Sequence, residues 1–211
     1  MERLQSLLRQ YNKTHKEDFS LAPWSKQYCE KVFPKYWKLV YCILKSLNKD
    51  YKILEIGCGI GDITAILCYL NFKNILAFEK DVQISSIAQK RMTEMFGRKN
   101  IVQNEIYPNG NQYNADILIL VNCVYTDLVN TKQEYMALIH EYYIKAGCPK
   151  YYLMEAIDSS YTKEDIVFPK HIRMNHDDVL SLFPNCKICS WETYKFPMNR
   201  KSKTLYLIER I

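Results

Sequence analysis

Glycine and proline are scarce, six and seven among 211 residues, which excludes fibrous, collagen-like and low-complexity chains. No internal repeat recurs, and no Gly/Ser- or Pro-rich linker divides the chain. Long apolar runs are missing as well. The longest aliphatic run, at 117–121, falls far short of the ~20 residues a membrane-spanning helix needs. The first ten residues hold no continuous apolar stretch and no small-residue cleavage site, so no secretory signal is expected. Charge of one sign is not dominant either. Lys and Arg number 29 against 23 Asp and Glu, and the net charge of +6 permits an anionic partner without demanding one.

What is present is a globular composition, 48% apolar and 25% charged, with eight Cys and 17 Tyr. Length and composition suit one domain of ordinary size with a small appendage. Without a secretory context the cysteines read as reduced thiols of a cytoplasmic protein, most of them packed as small hydrophobes. Cys186 and Cys189 have zinc-ligand spacing, but neither a second pair nor nearby histidines follow, as a structural zinc site requires.

The chain changes rhythm near residue 50. Before it, Leu4, Leu7, Leu8 and Tyr11 recur at helical spacing and predict a helix over 2–13. Trp24, Tyr28, Val32, Tyr36, Leu39 and Ile43 mark a longer helical region that Pro34 breaks or kinks. Residues 1–50 are therefore expected to form an N-terminal helical cap or lid, and residues 51–211 the main domain. From Tyr51 on, apolar runs at 52–56, 75–78, 101–103, 117–121 and 151–154 alternate with helical patterns near 61–71, 82–96 and 131–146. Buried strands separated by helices imply an α/β three-layer sandwich with a mostly parallel sheet. The tail differs. Two strand-like runs, 187–195 and 204–208, flank a turn and predict a closing antiparallel hairpin.

The strand at 53–56 runs into Gly-Cys-Gly-Ile-Gly at 57–61, and Asp62 opens a helix. Glycines at a strand-to-helix turn permit positive φ and let a ligand approach the backbone without a clashing Cβ, while the helix start offers N–H groups. The third glycine comes one residue too early for the dinucleotide fingerprint, and Asp62 would repel a pyrophosphate. With Glu55 in front, the string becomes acid-x-Gly-x-Gly-x-Gly.

In that form the sequence resembles the class I S-adenosylmethionine-dependent methyltransferases over residues 36–211. The resemblance implies a Rossmann-like sheet of seven strands with the last one antiparallel, and S-adenosylmethionine as cofactor with S-adenosylhomocysteine as product. It also implies a cofactor site made of Glu55, Gly57, Cys58, Gly59, Gly61, Asp62, Glu79, Lys80, Asn104, Glu105 and Asn122. Glu79 ends the second strand about twenty residues past the glycines, where the family binds the ribose hydroxyls. Asp81 is the other candidate for that role, and Glu79 has a second reading as a helix-cap acid. Asn104 and Glu105 stand near the adenine-contacting position. Asp116 matches the acid that opens the fourth strand. Glu55 and Asp62 fall at the cofactor's amino-acid end, which carries cationic groups and no phosphate.

The acceptor is less marked. The segment after the fourth strand, 121–127, carries neither the Asn/Asp-Pro-Pro-aromatic motif nor a Pro-Cys pair, nor the acidic triplet of magnesium-dependent relatives, so a metal-independent enzyme is expected. Cys123 then reads as packing rather than nucleophile. His171 and His176 fall in the stretch that commonly builds the acceptor pocket, and a histidine suits the deprotonation of an alcohol. Tyr125, Asp127 and Tyr161 are further acceptor-side candidates. Asn175 to Asp178 also read as a helix start with Asn175 as cap. His15 and His140 have ordinary surface readings. The aromatic stretch with Trp24, Tyr28, Phe33, Tyr36 and Trp37 reads equally as a lid and as helix packing.

The leading expectation is a methyltransferase acting on an oxygen of a small molecule, a metabolite or sugar unit, with no membrane partner. An RNA or protein methyltransferase is the alternative, with Lys187, Lys195, Arg200, Lys201 and Lys203 as a basic patch near Trp191 and Tyr194. A non-catalytic S-adenosylmethionine-binding protein is the third reading.

Overall fold

Leu4, Leu8 and Tyr11 line the buried face of helix α1 (Glu2–Thr14), as their spacing predicts. The structure, a computed structural model, describes residues 1–29, 34–123, 128–162, 168–194 and 202–211. The chain forms two compact units, Met1–Tyr107 and Pro108–Ile211.

In the first unit α1 is followed by a short helix α2 (Asp18–Leu21) and a 3-10 helix at Pro23–Cys29. Pro34 stands as N-cap of α3 (Lys35–Ser46). Proline lacks the N–H an interior helical position needs, so it starts a helix here. Of the break or kink expected at Pro34 the structure shows the break, with two helical elements of different type on its two sides. Strand β1 (Lys52–Ile56) leads into α4 (Asp62–Tyr69), then β2 (Asn74–Phe78), α5 (Val82–Phe96) and β3 (Val102–Gln103). β1 pairs with β2 and β2 with β3, all parallel. Four of the five β1 residues are buried, as in a strand covered on both faces.

The second unit contains β4 (Ile117–Leu120), α6 (Lys132–Lys145), β5 (Tyr151–Asp158), β6 (Arg173–Met174), α7 (His176–Leu182), β7 (Cys186–Tyr194) and β8 (Lys203–Arg210). β4 and β5 are parallel, whereas β8 runs antiparallel to both β5 and β7. The tail is therefore the expected hairpin, with its reversed strand lying against β5. Helices α6 and α7 both start on capping boxes, Thr131 with Glu134 and Asn175 with Asp178, in which side chain and backbone satisfy each other's first-turn groups.

The fold is α/β and Rossmann-like, with a mostly parallel mixed sheet of eight strands. The strand beyond the expected seven is β6, which pairs with the end of β5 and is too short to leave a periodic signal. None of the eight cysteines is in a disulfide. Among the described residues no helix is long and apolar enough to cross a membrane.

Leu153 in β5 is fully buried, whereas Leu180 on α7 is 41% exposed. Chemical denaturation of Leu153→Ala is expected to show a loss of about 2–5 kcal/mol. Leu180→Ala should stay within about 0.5 kcal/mol of the parent.

Candidate cofactor site

The turn between β1 and α4 is built from backbone that only glycine adopts without strain. Gly57, Gly59 and Gly61 have φ of 63°, 56° and 81°, in the left-handed region. Gly61 is the N-cap of α4 and supplies no side-chain cap, while the backbone N–H of Thr64 in the first turn bonds the Glu55 carboxylate. The loop is held from below by hydrogen bonds. Cys58 N–H donates to the Phe78 carbonyl at 3.0 Å, and Gly61 N–H to the Cys58 carbonyl at 2.9 Å. The Cys58 side chain packs in the core with Ala77 and Ala88.

Glu79 closes the site from the end of β2. Its Oε2 accepts from Gly59 N–H and its Oε1 from Asp81 N–H, both at 3.0 Å. Each carboxylate oxygen accepts more than one hydrogen bond, so the anchored group keeps acceptor capacity for hydroxyl donors. Asp81, not Glu79, is the N-cap of α5, its Oδ1 accepting from Gln83 and Ile84 N–H. Asn104 ties its amide to the carbonyls of Glu79 and Lys80 at 3.1 and 3.0 Å. Glu105 is exposed beside it, as is Lys80 next to Glu79.

Glu55 and Asp62 are buried, 3% and 5% exposed. Glu55 Oε2 accepts from the Thr64 hydroxyl at 2.7 Å. Burial first, then the nearby Asp62 and Glu79 charges, push its carboxyl up to about 8, against the Thr64 hydrogen bond. Asp62 is committed to the protein. Its Oδ1 accepts from Arg91 Nη1 and from Ser25 Oγ, both at 2.7 Å, and its carbonyl accepts from Trp37 Nε1 at 2.9 Å. Burial pushes the Asp62 carboxyl above the usual carboxylate range, with Arg91 and Ser25 opposing. Arg91, on α5 and fully buried, also donates from Nη1 to the Ile60 carbonyl at 3.0 Å.

Sequence reasoning missed Arg91 and Ser25. Nothing local marks them, since their partner Asp62 lies 29 and 37 residues away. The aromatic N-terminal stretch is resolved into two roles. Trp37 is fully buried and Tyr28 nearly so, with ring centroids 5.3 Å apart, and they pack. Trp24 is 44% exposed and lies against the glycine loop.

The second unit holds Asn122 of the expected cofactor set and the acceptor-side candidates. Asn122, just after β4, has φ 58°, and its Oδ1 accepts from Lys203 Nζ at 2.9 Å. Lys203 also pairs with Glu155 at 3.5 Å, and Glu155 accepts from Thr193 at 2.7 Å. Lys203 therefore serves an internal polar cluster rather than an exposed basic patch. Cys123 donates weakly to the Val121 carbonyl. Tyr161 is buried under the Arg173 guanidinium, 4.8 Å from its ring centre. His176 begins α7, exposed and stacked on Tyr206. His171 is half-buried, with Nε2 shielded and lacking a hydrogen-bond partner among the described residues. Tyr125 and Asp127 lie outside the described residues, as do Lys195, Arg200 and Lys201. Among the described residues no group of three His, Cys, Asp or Glu is placed to hold a metal ion.

No protein-family model matches the chain, and no curated protein matches it in sequence. Its fold is that of known methyltransferases. Magnesium protoporphyrin IX methyltransferase from Synechocystis PCC 6803, solved with S-adenosylhomocysteine, superposes with a TM-score of 0.61 at 12% identity, covering 98% of this chain and 99% of that one. An S-adenosylmethionine-dependent methyltransferase from Clostridium acetobutylicum gives 0.60 at 15% identity over 95% and 98%. A Clostridium thermocellum protein described as an rRNA methylase gives 0.56 at 12% identity over 85% and 100%. The chain has the class I methyltransferase fold.

Arg91→Met would leave Asp62 buried without its cation. The expected loss is about 3–5 kcal/mol in chemical denaturation, and the double variant with Asp62→Asn should lose less than the sum of the singles. Glu55 gives a pH signature. Its folded value near 8 lies above an unfolded value of about 4.3, so its contribution is full at low pH and is lost as pH rises through that window. Glu55→Gln should flatten the decline in melting temperature between those limits.

Proposed function

We propose that the chain is an S-adenosylmethionine-dependent methyltransferase acting on an oxygen of a small molecule. One observation carries the cofactor reading: Gly59 N–H clasps Glu79, joining a loop of three left-handed glycines to a carboxylate at the end of β2. The loop offers close approach to backbone, and Glu79 offers acceptors for vicinal hydroxyls. These are the demands of a nucleoside whose ribose hydroxyls are free. Bound S-adenosylmethionine would supply a methyl carbon already activated by a sulfonium. The chain's work is then to hold that donor and align an acceptor for in-line displacement. Glu79 would hold the ribose, Asn104 fix the loop beside it, and Gly57 to Gly61 admit the amino-acid end.

The small-molecule preference rests on the weakness of a nucleic-acid surface. Net charge is modest, and Lys203 is held by Asn122 and Glu155, which removes it from a phosphate-tracking patch. A hydroxyl acceptor needs a base as the methyl arrives, and His176 is the candidate histidine open to solvent. We assign residues 1–50 to a cap over the cofactor and 51–211 to the methyltransferase domain proper.

Calorimetry with S-adenosylmethionine, S-adenosylhomocysteine and NAD tests the reading. The first two should bind and NAD should not; binding of NAD alone would overturn it. Glu79→Ala should weaken S-adenosylmethionine binding by about 10- to 100-fold, the size expected for hydrogen bonds to a charged group.

A further inference from the structure

Trp24 is a large apolar side chain that the fold leaves open to water, at 44% exposure. Its position is nonetheless fixed. Ser25, the next residue, is fully buried and donates to Asp62 Oδ1 at 2.7 Å. Its N–H donates to the Ala22 carbonyl at 3.0 Å. Tyr28, one turn further along the same 3-10 helix, is packed edge-on against Tyr36 and tilted against Trp37. These contacts set the indole of Trp24 over the glycine turn. A Cβ placed on Gly59 would meet Trp24 Nε1 at 3.6 Å and Cζ2 at 3.9 Å, which is ordinary contact distance. Among the described residues the indole N–H has no hydrogen-bond partner.

Trp24 is thus half-exposed, held by buried neighbours, with its ring edge on the glycine turn. We infer that Trp24 is a cofactor-contacting residue. Its indole forms the outer wall of the site at Gly59 and packs on bound S-adenosylmethionine, giving it an apolar surface the glycines cannot provide. The inference rests on the cofactor reading above and adds to it a side chain from the N-terminal segment.

The test uses the full chain, with Trp24→Phe and Trp24→Ala beside the parent. Trp37 is fully buried and Trp191 half-buried, so a collisional quencher such as iodide reports chiefly on Trp24. Saturating S-adenosylhomocysteine should protect the parent's fluorescence from iodide, and the protection should vanish in Trp24→Phe. By calorimetry, Trp24→Ala should bind S-adenosylmethionine at least fivefold more weakly, Trp24→Phe should recover part of the loss, and melting temperatures without ligand should match within a few degrees. A purely structural Trp24 would instead lower the melting temperature and leave affinity unchanged, which would overturn the inference. So would tighter binding by Trp24→Ala, the mark of a side chain that plugs the site. If the parent bound neither cofactor form, the cofactor reading itself would fall. Parent binding with unchanged Trp24→Ala affinity would sink only the role given to Trp24.

Discussion

The contact on which the first unit depends is the buried ion pair between Asp62 and Arg91, 2.7 Å long and closed to water on both sides. It joins parts of the chain that local propensity would not bring together. Asp62 is the first residue of α4, Arg91 lies in the second half of α5, and Ser25 in the N-terminal segment shares the same carboxylate oxygen. Such a pair adds little net stability, since desolvation of both charges offsets most of their attraction. Its effect is selective. An arrangement that separated them would leave a guanidinium or a carboxylate buried alone, so the glycine turn, α5 and the segment carrying Trp24 are held in one geometry.

That constraint explains how the acidic residues around the turn divide their work. Asp62 balances Arg91 and anchors Ser25, and its carbonyl receives Trp37. Asp81 caps α5. Glu79 is fixed by two backbone N–H groups and keeps acceptor capacity on both oxygens. Three carboxylates within a short stretch of chain thus hold different roles, set by which backbone groups face them.

Much of this was legible in the sequence where the physical demand is local. The glycines at 57, 59 and 61 announce backbone of positive φ, and all three have it. Asn175 with Asp178 announces a helix start and forms a capping box. The closing hairpin follows from two strand-like runs around a turn. What could not be read depends on long separations. Arg91 stands in a helical pattern where a polar-face residue is unremarkable. Lys203 reads as a solvated charge near a turn, yet its Nζ meets Asn122 at a separation of 81 residues. β6 escaped because two residues make no period. Pro34 was a visible break, but a 3-10 helix on its N-terminal side cannot be told from an α-helix by apolar spacing alone.

The acidity that the glycine motif suggests is also changed by folding. On sequence, Glu55 and Asp62 look like two negative charges at the amino-acid end of the cofactor. In the folded chain Asp62 is balanced by Arg91, and Glu55, with its carboxyl near 8, is mostly protonated at neutral pH. The turn without ligand is therefore far less anionic than its residues imply. On the proposed reading this has a physical use. An unpaired pair of carboxylates would hold solvent and counterions tightly in an apolar setting, and both would have to be stripped on binding. A protonated Glu55 avoids that cost, and an arriving cation would lower its value and draw out the charge where it is needed.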